Sequence, residues 1–281
     1  HKVQTSSQLY RLNDEYDAFI CGSDQIWSPN EFNSKYYLDF VSEDNKKIAY
    51  APSFGVSAIH SDLVKDEIGK WIRKIKYLSV REEQAKRIIE DNFKISPRVV
   101  LDPTLLLDST EWMKFGNDAY ETPSHFLLCY FLGQNEEYWK YVERIASNNN
   151  LDICIIPVHP KDYSRKYTIL SGVGPAEFLT LVKNAKYVCT DSFHGTIFSI
   201  NFNTEFLAFN RFKNSNPKSQ NSRIHSILSL LGLEGRLYSK SSNYASDINW
   251  DDVNLKLSKL REESIYFLED SLRSATSNEM K

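Results

Sequence analysis

The sequence predicts an α/β protein made of two facing doubly wound, Rossmann-like units. Three observations predict it. Short apolar runs alternate with amphipathic stretches of helical spacing. The apolar runs stop at Gly, Pro, Ser or Asp, as strands that feed loops do. A polar stretch from Gly116 to Ser124 interrupts the alternation, which then restarts.

The elements follow in order. Residues 17–21 form an apolar run stopped by Gly22, and residues 47–51 form another stopped by Pro52. Residues 62–74 carry Leu63, Ile68, Trp71 and Ile72 at helical spacing, with Ser61 or Asp62 as the N-cap. A strand over 77–80, a charged helix over 82–92 and a strand over 98–101 complete the first series. The second series reads strand 125–131, helix 135–147, strand 152–157, helix 175–184, strand 186–190, helix 195–201, strand 205–209 and helix 222–231. Residues 210–222 are rich in Asn, Ser and Lys and lack periodicity, so a mobile surface loop is expected there. Residues 251–272 have the pattern of a last amphipathic helix. The expected domains are therefore 1–121, 122–250, and a helical tail at 251–281 that packs back on the first unit. Only sixteen residues precede Asp17, and the chain begins at His1, so an N-terminally truncated first unit is expected.

Composition narrows the function. With 34 basic and 37 acidic residues the net charge is -3, which is no electrostatic footprint for nucleic acid. A hydrophobic fraction of 41% suits a buried core, and no apolar run reaches the roughly 20 residues of a membrane span. Cys21, Cys129, Cys154 and Cys189 are widely spaced without a CxxC pair. They read as buried thiols of a reducing compartment, and no metal site is expected. A cytoplasmic location follows, with the inner face of the membrane as a variant of it. A homo-oligomer is left open.

The polar residues that follow the strands are the candidates for chemistry, because ligands of open α/β sheets bind beyond the carboxyl ends of the strands. Residues 187–200 are the most informative stretch: Tyr187-Val188-Cys189 as a strand, then Thr190-Asp191-Ser192-Phe193-His194-Gly195, then an apolar helix from Thr196. His194 at a helix N-terminus suits a proton donor or an anion ligand. Asp191 and Ser192 are candidates to orient its ring or cap the helix. After the strand at 17–21, Gly22 permits close backbone approach, and Ser23, Asp24 and Gln25 offer donors and acceptors; an Asx-type turn explains them equally well. Ser53, after the strand at 47–51, could donate to a phosphate or sugar hydroxyl. Arg81, between strand and helix, could hold a carboxylate or phosphate, or pair with Glu82 or Glu83. Asp102 before Pro103 reads mainly as a turn device.

These blocks resemble the polysaccharide pyruvyl transferase family, in order and over almost the whole chain. Gly22-Ser23-Asp24-Gln25-Ile26-Trp27 resembles its GSDQ-x-W, and Tyr50-Ala51-Pro52-Ser53-Phe54-Gly55 its YA-x-SFG. Ser79-Val80-Arg81-Glu82 resembles its SVR-(D/E), Leu101-Asp102-Pro103-Thr104 its LDPT, and Gly174–Leu179 precedes the histidine block as in that family. The resemblance implies a fold like the GT-B glycosyltransferases, with the active site in the interdomain cleft. It implies phosphoenolpyruvate as donor substrate, no further cofactor, and a saccharide or lipid-linked saccharide as acceptor, within bacterial polysaccharide or cell-surface glycan synthesis. By similarity Arg81 and His194 are catalytic: Arg81 would hold the donor, and His194 would be the acid. Gly22, Ser23, Asp24, Gln25, Ser53, Ser192, Gly195 and Thr196 would line the donor or substrate site. Many members carry arginine where this chain has Ser192. The implied substitutes are Arg211, Lys213 or Arg223 from the 210–223 loop, or else a different donor. The alternatives are a nucleotide-sugar glycosyltransferase on the same scaffold and a non-catalytic saccharide-binding homologue.

Overall fold

The computed structural model describes residues 5–213, 219–239 and 247–277. The chain forms two compact units. Leu107–Leu257 make one, and the residues before Leu107 together with those from Ser258 onward make the other.

The first unit begins with a short helix, α1 (Ser6–Arg11), closed at its start by a capping box on Thr5. The strands β1 (Phe19–Cys21) and β2 (Lys47–Ala49) follow, then the helix α2 (Asp62–Ile72), the strand β3 (Tyr77–Val80), the helix α3 (Glu83–Phe93) and the strand β4 (Arg98–Val99). The strands pair in parallel in the order β1-β2-β3-β4. Ser61 caps α2 by accepting the Val64 N–H, as its sequence position predicts. Ile68 and Ile72 on α2, and Ala85, Ile88, Ile89 and Phe93 on α3, pack with Phe19, Cys21, Ala49 and Val80 into one core. The helical period of these residues and the strand alternation thus meet on one face of the sheet.

The second unit opens with α4 (Ser109–Met113), then β5 (Phe126–Tyr130), α5 (Glu137–Asn149), β6 (Asp152–Ile155), β7 (Thr168–Ile169), α6 (Pro175–Asn184), β8 (Tyr187–Thr190), α7 (Phe193–Asn201), β9 (Phe206–Ala208) and α8 (Ser222–Leu231), and ends in the first turns of α9 (Trp250–Thr276), which passes to the first unit at Ser258. Its sheet is parallel with order β7-β6-β5-β8-β9. The central strands β5 and β8 are buried at every residue but Tyr130, as strands covered on both faces are. Two parallel-sheet α/β units are therefore present, as the alternating pattern predicts.

The unit boundaries differ from those read in the sequence. The first unit ends at Leu106, not at 121, because the segment after it is fastened to the second unit. The Asn117 N–H donates to Thr180 Oγ1 at 3.0 Å, its amide donates to Glu177 at 2.9 Å, and the Trp112 ring meets Phe198 edge-on at 5.1 Å. The polar stretch that reads as a boundary is thus fastened to α6 through Asn117. At the other end, α9 joins the first unit only from Ser258. There Ser264 Oγ accepts the Leu101 N–H at 3.0 Å, Arg261 Nε donates to Leu105 O at 2.7 Å, and Phe267 packs near Tyr50. Sequence periodicity also missed α1, α4 and β7, which are too short to display a period. In the expected mobile loop, residues 214–218 lie outside the described residues, while Asn210–Phe212 are tied down on both sides.

All four cysteines are free and buried. Burial pushes the Cys21 thiol up to about 12 and that of Cys154 to about 11, so they pack as apolar side chains.

Candidate functional site

Parallel strands deliver all their carboxyl ends to one edge of a sheet. In the first unit that edge gathers four sequence blocks: Gly22–Trp27 after β1, Tyr50–Gly55 after β2, Arg81–Glu82 after β3 and Leu101–Thr104 after β4. Gly22 has φ +139, and a Cβ there would sit 1.8 Å from the Tyr50 carbonyl oxygen, so no other residue fits this crossing. Trp27 is fully buried, stacks on Tyr37 at 4.9 Å and donates its indole N–H to Tyr36 O at 2.9 Å. It is a core anchor for the loop.

Arg81 is the centre of this edge and is 5% exposed. Its Nη1 donates to Asp102 Oδ2 at 2.5 Å and its Nη2 to Asp24 Oδ1 at 3.1 Å, while Nε lies 3.6 Å from Glu82 Oε2. Asp102 Oδ1 accepts the Thr104 N–H at 3.0 Å and its hydroxyl at 2.6 Å. Burial would raise the Asp102 carboxyl, but Arg81 and Thr104 outweigh it and hold the group below the ordinary carboxylate range. Ser23 Oγ reaches Ala51 O at 2.8 Å and Asp102 Oδ2 at 3.3 Å. The Ser53 hydroxyl, fully buried, donates to Glu82 at 2.7 Å and accepts the Gly55 N–H at 3.0 Å.

This geometry revises two expectations. Arg81 holds three carboxylates of its own loops, so its side chain fastens the edge and does not offer a bare cation to an anionic ligand. Ser53 is turned inward by Glu82 and has no exposed hydroxyl to give a ligand. Gly22 and Asp24 are exposed and Ser23 and Gln25 partly so, which leaves those four facing solvent at the edge.

The second unit's edge is arranged around α7. The residues of 187–201 are buried with the single exception of His194, which is half-buried in the first turn of the helix. Ser192 explains why the helix starts two residues earlier than the sequence suggests: it is the N-cap, and its Oγ accepts the Gly195 N–H at 3.2 Å. Thr196 Oγ1 donates back to Ser192 O at 3.0 Å. Thr190 Oγ1 accepts the Ser192 N–H at 3.0 Å and donates to Tyr130 O at 2.6 Å, which ties the helix start to β5. Ser192, Gly195 and Thr196, expected to touch the donor, therefore build the cap that presents His194. The His194 ring lies 5.5 Å from Phe193, edge to face, and the Arg223 guanidinium sits over Phe193 at 5.7 Å while bonding to Gln220.

Asp191 does not cap the helix. Its carboxylate accepts the N–H groups of Leu132 and Gly133, at 2.7 and 2.9 Å, in the turn after β5. Arg211 approaches the same residue, with Nε 3.9 Å from Oδ1 and Nη2 3.3 Å from the Asp191 carbonyl oxygen. Burial raises the Asp191 carboxyl above its ordinary range against the opposing pull of the backbone N–H groups and Arg211. His159, given no role from the sequence, has its Nε2 3.1 Å from Leu132 O. Of the three basic residues expected to replace an arginine at 192, Arg211 and Arg223 reach this segment, and Lys213 is exposed. Gly133 and His159 each stop an apolar run, at Leu132 and at Val158, which is the signal that marks the other blocks.

The family model described as polysaccharide pyruvyl transferase matches residues 2–213. Among solved structures, a Listeria monocytogenes protein assigned as a UDP-N-acetylglucosamine 2-epimerase superposes with a TM-score of 0.51 at 11% identity, covering 98% of this chain and 74% of that one. The UDP-GlcNAc 2-epimerase of Methanocaldococcus jannaschii gives a TM-score of 0.43 at 17% identity, with 92% of this chain and 79% of that one covered. A search of curated proteins finds no significant match. At these identities the structural likeness speaks for the fold alone. No described helix is long and apolar enough to cross a membrane.

Proposed function

This chain belongs to the polysaccharide pyruvyl transferase family, and from that membership we propose that it moves a pyruvyl group from phosphoenolpyruvate to two hydroxyls of a saccharide, forming a cyclic ketal. One observation carries the assignment of the acid. His194 alone among residues 187–201 reaches the surface, on a first turn that four hydrogen bonds hold in place.

His194 protonates the methylene carbon of the enol phosphate, and the adjacent carbon takes on oxocarbenium character. A sugar hydroxyl adds to that carbon. A second hydroxyl then closes the ring as the carbon–oxygen bond to phosphate breaks. One hydroxyl proton replaces the one His194 gave, and the other leaves with phosphate. The N–H groups at the start of α7 favour the departing anion. Arg81 orders the Gly22–Gln25 loop, which faces solvent at the carboxyl edge of its sheet.

General acid catalysis is worth about 10²- to 10⁴-fold. His194→Ala is expected to lower turnover by that order with an unchanged melting temperature. Near-normal turnover in that variant would remove His194 from the mechanism. Thermal protection by phosphoenolpyruvate and not by nucleotide sugars supports the donor. The reverse pattern would assign the chain to nucleotide-sugar chemistry on the same fold.

A further inference from the structure

At the edge of the second sheet a buried carboxylate holds a guanidinium in place. Asp191 is 1% exposed, and both of its oxygens accept backbone N–H groups of the Leu132–Gly133 turn. Arg211 lies against it from the next strand end. The residues around Arg211 are pinned as well. The Tyr138 hydroxyl donates to Asn210 O, His225 Nε2 lies 2.7 Å from Asn210 Oδ1, and the Asn221 side chain bonds both the carbonyl and the N–H of Phe212. Gly133 permits the arrangement: a Cβ there would fall 2.7 Å from Asp191 Oδ2 and 2.9 Å from Arg211 Cγ.

The held guanidinium keeps donors in reserve. Among the described residues, Nε and Nη1 of Arg211 have no hydrogen-bond partner, and the side chain is 20% exposed. It contacts the residue just before the N-cap of α7, where helix N–H groups already favour an anion. A guanidinium fixed in advance loses less freedom on binding than one that must be ordered by its ligand.

We propose that Arg211 is the phosphate-binding cation of this unit and that Asp191 is the positioning residue that aims it. The identity of the phosphate as that of phosphoenolpyruvate rests on the proposed function; the subsite itself does not. Arg223 is then a packing residue of the Phe193 ring.

The test is calorimetric titration of the full chain with inorganic phosphate and with phosphoenolpyruvate, with turnover measured alongside. Hydrogen bonds to a charged group contribute about 1.5–3 kcal/mol, so Arg211→Gln is expected to weaken both ligands roughly 10- to 100-fold. Arg211→Lys recovers part of that loss. Asp191→Asn raises KM for phosphoenolpyruvate more than it lowers kcat, and it adds little to Arg211→Gln, since the two act as one unit. Gly133→Ala, which pushes the pair apart, reproduces Asp191→Asn and decides the positioning role even if the latter fails to fold. His194→Ala keeps phosphate affinity while turnover falls. Unchanged phosphate affinity in Arg211→Gln, or no phosphate binding by the wild type, overturns the subsite. Full additivity of Asp191→Asn with Arg211→Gln, or wild-type binding by Gly133→Ala, overturns the positioning role. Phosphate binding that depends on Arg211, in a protein that neither binds nor consumes phosphoenolpyruvate, keeps the subsite and overturns the donor.

Discussion

The carboxyl edges of the two sheets are built from the same ingredients in opposite proportions. In the first unit one guanidinium, Arg81, lies among Asp24, Glu82 and Asp102. In the second, one carboxylate, Asp191, is met by two backbone N–H groups and one guanidinium. The first arrangement consumes its cation internally and leaves excess negative charge. The second satisfies its carboxylate with neutral donors and leaves a cation with donors to offer. An arginine after a strand is therefore no guide to anion binding until its acidic neighbours are counted. This difference ties the first edge's cation into its own loops, and it is the ground for proposing that the second edge binds an anion.

The comparison breaks most visibly if the two arginines are exchanged for a neutral chain of similar length. Removing one partner of a buried, hydrogen-bonded ion pair costs about 3–5 kcal/mol, because the remaining charges are left uncompensated. Arg81→Met is expected to lose stability of that order, measured by urea unfolding. Arg211 is more exposed and meets Asp191 at 3.9 Å, so Arg211→Met costs less than about 1 kcal/mol while weakening phosphate binding roughly 10- to 100-fold. Equal losses of stability, or tight phosphate binding lost with Arg81 alone, would reverse the roles of the two edges.

Acid sharpens the contrast, since the two buried aspartates are displaced in opposite directions. Asp102 titrates below its unfolded value, so its contribution to stability is present above the ordinary carboxylate range and is lost as pH falls through its folded pKa. Asp191 titrates above its unfolded value, so its ionised form is a cost to the folded state near neutrality, and that cost fades as pH falls. Melting temperatures followed from about pH 7 to about pH 3 should therefore fall less steeply in Asp102→Asn than in the wild type. They should fall more steeply in Asp191→Asn. Parallel curves for all three proteins would mean that neither carboxylate is displaced as described.

Much of the fold was legible in the residues, and the reason is periodicity. The helix over 175–184 and the helix over 222–231 match the sequence pattern to the residue, since each carries nearly three turns of apolar spacing. The unit boundary was not legible. Asn117 in the polar stretch Gly116–Ser124 bonds Thr180 and Glu177 of α6, and polarity alone does not separate a linker from a fastened segment. For the site, the positions of the blocks were legible, because a polar residue after an apolar run marks a strand end. Their roles were not. Whether Arg81 and Ser53 face solvent or one another depends on Asp102 and Glu82, which lie 21 and 29 residues away. No local pattern encodes those pairings.

The smallest effect concerns Ser192, where the family resemblance implied a loss of positive charge. A serine at an N-cap contributes roughly 1 kcal/mol relative to alanine. Ser192→Ala is therefore expected to lower the melting temperature by about 2–4 °C, with Ser192→Asp or Ser192→Thr restoring most of it. Those replacements separate the two meanings of the position. A capping role depends on an acceptor oxygen for the Gly195 N–H and is indifferent to which capping residue supplies it. A donor-binding role would register in KM and would be worsened by the negative charge of aspartate. If Ser192→Asp keeps the stability and loses only donor affinity, the anion lies against the start of α7, within reach of Arg211. If it changes neither, the phosphate sits farther along the edge, and the second unit's cation acts without the helix.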